Sequence, residues 1–132
     1  MISEKRWLIF MVFRLDIWMV TNMQSEQSIQ NEILIELSKK GYKAFRTNAG
    51  KVRTESGGVI KLLPKGHFDI YGYNPNDQTV FYIEVKNAKG KARPEQITFH
   101  KVLQKDGIVH GIARSAMDAL MIVEEKIVGW GF

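Results

Sequence analysis

Apolar residues fall at helical spacing from Ser25 onward. In "SEQSIQNEILIELSKKGY", Ile29, Ile33, Leu34 and Leu37 share one face. Ser25 or Ser28 is placed to cap the start, acids fill the first turns, lysines the last, and Gly41 ends the segment. The period then changes to two. "YKAFRT" (42–47) alternates and predicts a short strand. Residues 48–66 are rich in glycine and contain Pro64, so a loop or loose hairpin is expected, with a strand at Val59 to Leu63. Two more strands are predicted within "FDIYGYNPNDQTVFYIEVK" (68–86), separated by the turn formers Asn74-Pro75-Asn76-Asp77. After the basic loop 87–93, Pro94 opens a helix whose apolar side is Ile97, Phe99, Val102 and Leu103, ending at Gly107. "IVHGIARS" predicts a further strand. Ser115 with Asp118 forms a capping box for a last helix running to about Lys126. The order αβββαβα predicts a mixed α/β domain with a central sheet flanked by helices.

Residues 1–22 stand apart from this pattern. Lys5 and Arg6 precede the apolar run Trp7 to Phe13, as in a signal peptide, but Arg14 and Asp16 interrupt it and no small-residue cleavage site follows. The run is also far short of the roughly 20 residues that a membrane helix needs. Two readings remain for this N-terminal extension: a strand or helix packed on the domain, or a segment upstream of a start at Met23. The domain itself is assigned to 23–132.

The chain of 132 residues is long enough for one core. It contains no cysteine, which excludes disulfides, thiolate metal sites and cysteine nucleophiles and points to an intracellular protein, with the cytoplasm expected. A net charge of +5 favours polyanionic partners.

Charge also appears where a sheet should bury apolar side chains. Alternation puts Phe81, Ile83 and Val85 on one face and Tyr82, Glu84 and Lys86 on the other. If the preceding strand pairs with this one, Asp69 comes up beside Glu84. Two carboxylates held together repel each other unless a cation lies between them. Mg²⁺ is the natural candidate, binding one or two carboxylates plus waters and substrate phosphate. Lys86 would orient or acidify an attacking water, or stabilise a phosphorane-like transition state. Gln96, in the first turn of the following helix, is placed to reach back over the strand ends.

These motifs together resemble the VRR-NUC family of the PD-(D/E)xK, restriction-endonuclease-like nucleases. The resemblance runs through Glu26 with Ile29-Gln30, Arg46-Thr47-Asn48-Ala49-Gly50, Gly66-His67-Phe68-Asp69 and Ile83-Glu84-Val85-Lys86. It continues in Gly90, Pro94-Glu95-Gln96, Phe99 and Gly107. It covers about residues 25–120, and departs from the superfamily name at Phe68, where that name has proline. It implies a restriction-endonuclease-like core with Asp69, Glu84 and the Val85 carbonyl as metal ligands and Lys86 as catalytic lysine. Gln96 matches the helix glutamine that supports the lysine or a phosphate, and Glu26 the first-helix acid. A Mg²⁺- or Mn²⁺-dependent DNA endonuclease is thereby implied, acting as a homodimer on branched DNA such as Holliday junctions.

From Lys39 to Lys65 there are eight basic residues against the single acid Glu55. With the glycines alongside they predict a cationic loop that tracks phosphates. Arg46, Lys51, Arg53, Lys65, Lys89, Lys91 and Arg93 are the expected DNA contacts. No sequence-reading module is evident, so selectivity for DNA structure is expected. The alternative is a non-catalytic DNA-binding module or assembly subunit, and RNA is not separable from DNA by sequence. His67 is read as a turn residue, His100 as packing and His110 as structural. Tyr71, Tyr73 and Tyr82 are read as strand packing ahead of base stacking.

Overall fold

A computed structural model describes residues 23–47, 51–61 and 63–132. The N-terminal extension 1–22 and the motif residues Asn48, Ala49 and Gly50 lie outside the described residues. The first described helix, α1, spans Glu26–Lys39 and starts where Ser25 Oγ accepts the Ser28 amide at 3.1 Å. Ile29, Ile33 and Leu37 are buried along its inner side. Fully burying side chains of this size stabilises the fold by roughly 1.5–3 kcal/mol each.

Strands follow at Lys43–Arg46 (β1), Lys51–Arg53 (β2), Val59–Lys61 (β3), Ile70–Tyr73 (β4) and Val80–Val85 (β5). Then come α2 (Pro94–Lys105), β6 (Val109–Ala113), α3 (Ala116–Glu124) and β7 (Val128–Trp130). Five strands form one mixed sheet in the order β1-β4-β5-β6-β7. The pairs β1/β4 and β4/β5 are antiparallel, and β5/β6 and β6/β7 are parallel. The described residues therefore form a mixed α/β fold with a central sheet flanked by three helices.

The two faces of the sheet differ in cover. Ile70, Phe81, Ile83 and Val85 join α1 and α3 in the main core, through Ile29, Ile33, Leu37, Ala119 and Ile122. The second face receives α2, whose Phe99 meets Tyr82 and Phe68 edge-on. Phe68 and His110 are fully buried there.

The loose hairpin expected within 48–66 is present as a two-stranded ribbon, β2–β3, separate from the main sheet. Three details need correction. Among the described residues five strands, not three or four, precede α2, because that hairpin adds a strand at Lys51–Arg53. Strand β7 was not foreseen, because three residues, Val128–Trp130, with positive-φ Gly129 among them and Gly131 directly after, carry too little pattern to read. The last helix stops at Glu124, two residues before Lys126, which takes a left-handed φ of 52°.

One glycine fixes the approach to the site. Gly66 has φ 91°, and a Cβ there would run into the Glu95 carbonyl in the first turn of α2. The left-handed conformation alone costs a non-glycine residue roughly 1–2 kcal/mol, before any backbone shift. Gly66→Ala is therefore expected to destabilise the protein by about 2 kcal/mol or more, read from urea unfolding midpoints. A change below a few tenths would mean that the turn relaxes freely.

Candidate active site

Asp69 stands immediately before β4, and the register Ile70 opposite Ile83, continued by one residue, sets it opposite Glu84. The chain is pinned at that point from β1. The Thr47 hydroxyl donates to the Phe68 carbonyl at 2.6 Å, and the Thr47 amide donates to the Asp69 carbonyl at 2.9 Å. Asp69 Oδ2 accepts the Val85 amide at 2.9 Å. In an extended strand the N–H and C=O of one residue leave on the same edge. The Val85 carbonyl is thus directed to the side on which Asp69 lies.

Glu84 is 2% exposed and Lys86 7% exposed, so neither belongs to a solvated sheet face. Glu84 Oε1 accepts from Gln96 Nε2 at 2.7 Å and has Lys86 Nζ 3.4 Å away. Its other oxygen, Oε2, is buried without a hydrogen-bond partner. Gln96, 2% exposed, faces two ways, because its own Oε1 accepts the Arg93 amide at 2.9 Å and closes the N-terminus of α2. Its amide therefore supports the acid, Glu84, in place of the lysine or a phosphate. A packed α2 terminus thereby fixes a carboxylate on β5.

Burial dominates the electrostatics. Desolvation, then repulsion from Asp69, pushes the Glu84 carboxyl up to about 8, with Lys86 opposing. The Asp69 carboxyl is also raised, chiefly by burial, while its bond from the Val85 amide acts the other way. The two carboxyls are close enough to hydrogen-bond when one is protonated. Two adjacent buried acids that resist ionising together, one with an oxygen that no donor meets, make an oxygen-rich site suited to a hard divalent cation. Among the described residues no group of three or more His, Asp or Glu side chains is arranged to hold a metal ion. The donors fit Mg²⁺ or Mn²⁺, which accept a main-chain carbonyl and waters, better than an ion needing an all-side-chain cage.

Glu26 also reaches this corner. Its Oε1 lies 3.0 Å from where a Gly90 Cβ would stand, and the Lys86 Cδ is 3.2 Å from the same point. Its charge contributes to raising Asp69. The turn carrying Gly90 is held by Arg114, whose Nη1 donates to the Asn87 and Gly90 carbonyls at 2.6 and 2.8 Å. Neither Arg114 nor Thr47 was singled out from the sequence. Thr47 could have been noticed beside Arg46 in the motif, whereas nothing local marks an arginine that acts 24 and 27 residues away.

The expected DNA contacts are dispersed. Arg53, Lys89, Lys91 and Arg93 are exposed. Lys65 is exposed but pairs with Glu95 at 3.5 Å. Arg46 turns to α1, where the Gln27 amide oxygen can accept its guanidinium at 2.7 and 3.0 Å. Lys51 belongs to the ribbon, opposite Lys61, and its side chain lies outside the described residues. Of the histidines, His67 stacks on Phe99 at 4.8 Å and its Nδ1 lies 3.0 Å from the Phe68 carbonyl. His110 is fully buried between the Ile108 carbonyl and His100 Nδ1, and His100 stacks on Phe132. Both His100 and His110 sit below the usual imidazole range because of burial. Tyr82 packs as expected, but Tyr71 and Tyr73 are exposed.

No protein-family model, curated protein or solved structure matches the chain. Among the described residues no helix is long and apolar enough to cross a membrane.

Proposed function

We propose that this protein is a divalent-metal-dependent DNA endonuclease with a restriction-endonuclease-like core of the VRR-NUC kind. The observation that carries the reading is the buried Asp69–Glu84 pair, with Glu84 Oε2 unpartnered and Lys86 Nζ 3.4 Å from Oε1. A fold that only bound DNA would gain nothing by burying two carboxylates against each other near phosphates. Asp69 Oδ1, Glu84 Oε2 and the Val85 carbonyl are the groups that would hold Mg²⁺ or Mn²⁺. That ion, when bound, would neutralise the scissile phosphate and lower the pKa of an attacking water.

The chain's own residues supply the rest. Gln96 fixes one oxygen of Glu84 and leaves the other free, so the ligand geometry is set before any ion arrives. Lys86, held under the turn at Gly90, places an ammonium beside the acids to orient water or meet developing charge on phosphate. Branched DNA, a homodimer that cuts two strands, and a cytoplasmic setting belong to this reading. The deciding experiment is incubation with labelled linear duplex, flap and four-way-junction DNA in Mg²⁺, Mn²⁺ or EDTA. Cleavage with either metal, strongest on branched DNA and absent in EDTA, is expected. No cleavage of any of them would hand the protein to the binding-module reading.

The ribbon gives a separate expectation. Changing Lys51 and Arg53 to Ala should weaken DNA binding and reduce the salt slope by up to about two units, at roughly 0.9 per lost phosphate contact. An unchanged slope would leave the ribbon as solvated surface.

A further inference from the structure

Helix α2 covers the second face of the sheet over β5–β7, through its contacts with Tyr82, Glu84, β6 and β7. The rest of that face, over β1 and β4, presents rings to solvent. Phe45, Tyr71 and Tyr73 are 47%, 43% and 42% exposed. The register sets Phe45 opposite Tyr71, Lys43 opposite Tyr73, and Tyr71 opposite Tyr82. Alternation therefore puts all five side chains on one face. The Phe45 and Tyr71 rings lie 5.5 Å apart at 35°, a broad tilted shelf. Glu84 is two residues along β5 from Tyr82, about 7 Å, so the shelf begins beside the acids.

We infer that this shelf is a stacking platform for unpaired nucleic-acid bases next to the cleavage site. The inference deepens the nuclease reading and rests on it for the choice of a nucleic-acid ligand. Stacked duplex bases offer no free ring face, whereas single strands, flaps and junction centres do, and stacking on aromatic side chains is tolerant of sequence. The charges fit. Lys43 lies among the rings, and the ribbon bearing Arg53 leaves and rejoins the sheet at the Arg46 and Asp69 ends of β1 and β4, where the acids lie. An anionic backbone running from ribbon to acids would deliver its next bases onto Tyr71 and Phe45. A second protein sheet fits this edge less well. Strand β1 is four residues long and exposes both Lys43 and Arg46, charges that oppose edge-to-edge pairing.

The test compares wild type with Phe45→Leu, Tyr71→Leu and Tyr73→Leu, which keep exposed apolar side chains and remove the rings. Binding is measured in EDTA at one fixed salt concentration. The probes are a single strand, a flap and a blunt duplex of equal length, with 2-aminopurine in the unpaired segments. Each variant should weaken single-strand and flap binding at least about fivefold and reduce 2-aminopurine quenching, with duplex affinity unchanged. Equal losses on duplex, or no loss on any probe, would overturn the platform. So would a concentration-dependent dimer of wild type that the same variants dissolve without change in single-strand affinity, which would assign the face to a second copy. Cleavage of the same probes in Mg²⁺ is scored separately. Ring-dependent binding without cleavage leaves the platform standing and removes the nuclease reading, whereas cleavage with ring-independent binding does the reverse.

Discussion

Glu84→Gln is expected to yield a protein that is more stable at pH 8–9 than the wild type and that no longer cuts DNA. In the folded, metal-free chain Glu84 keeps its proton up to about pH 8, whereas the unfolded chain loses it near 4.5. The folded state thus binds one more proton between these values, and stability falls as pH rises through that window. The contribution is complete below about pH 4.5 and is lost as pH passes through about 8. A neutral glutamine at 84 mimics the protonated acid, keeps an oxygen for the Gln96 amide and turns a donor toward Asp69. At or below about pH 4.5 the variant should therefore match the wild type. By pH 9 it should exceed it by a few kcal/mol in EDTA, since a tenfold change in proton affinity is worth about 1.4 kcal/mol. Mg²⁺ or Mn²⁺ should stabilise the wild type and leave the variant unmoved, because one ligand is gone. Cleavage should fall at least about a thousandfold, the scale of losing several kcal/mol of metal-supplied stabilisation. Urea unfolding from pH 5 to 9, with and without metal, reads the first two effects without any DNA. A wild-type profile that is flat across this range would remove the buried acid pair as the source of the site's chemistry.

How much of this was legible in the chain differs between residues for physical reasons. Alternation along β5 already separated Glu84 and Lys86 from Phe81, Ile83 and Val85, because a strand has a period of two and nothing can shift it by half. The Ser25 and Ser115 caps were legible too, since a cap and its target amide are only three residues apart. What sequence could not give was the depth of the site. Polar side chains on the second face read as exposed until α2 is laid over them, and only then do Glu84 and Gln96 fall to 2% exposure. The same packing divided the tyrosines, all read as strand packing. Tyr82 lies under Phe99, whereas Tyr71, its cross-strand neighbour, lies beyond the helix and stays open. Arg114 escaped notice altogether, because its carbonyl partners are brought together by the parallel β5/β6 pairing and not by any local pattern.

Lys86→Ala should lower turnover by roughly a hundredfold or more at saturating DNA, as the loss of a single donor to developing charge does. Substrate affinity should fall far less, by the share of one phosphate contact among several. The side chain is 7% exposed, its stem packs beside Gly90, and its Nζ lies 3.4 Å from Glu84 Oε1, so the ammonium is held at one place and not swept through solvent. That placement makes Lys86→Arg a demanding control. A planar guanidinium is larger and distributes its charge over three nitrogens, so it should retain binding without restoring the rate. A second readout needs no DNA. Lys86 opposes the rise of the Glu84 carboxyl, so its removal should push that group higher still and make the metal-free protein lose stability with pH up to a higher value than the wild type. Removing the cation while two acids stay buried should also lower stability at pH 9, because an uncompensated buried charge is costly. A Lys86→Ala protein with wild-type turnover would take the lysine out of the mechanism even if its pH profile moved as expected. Lost turnover with an unmoved profile would instead keep the lysine in the chemistry and break its coupling to Glu84.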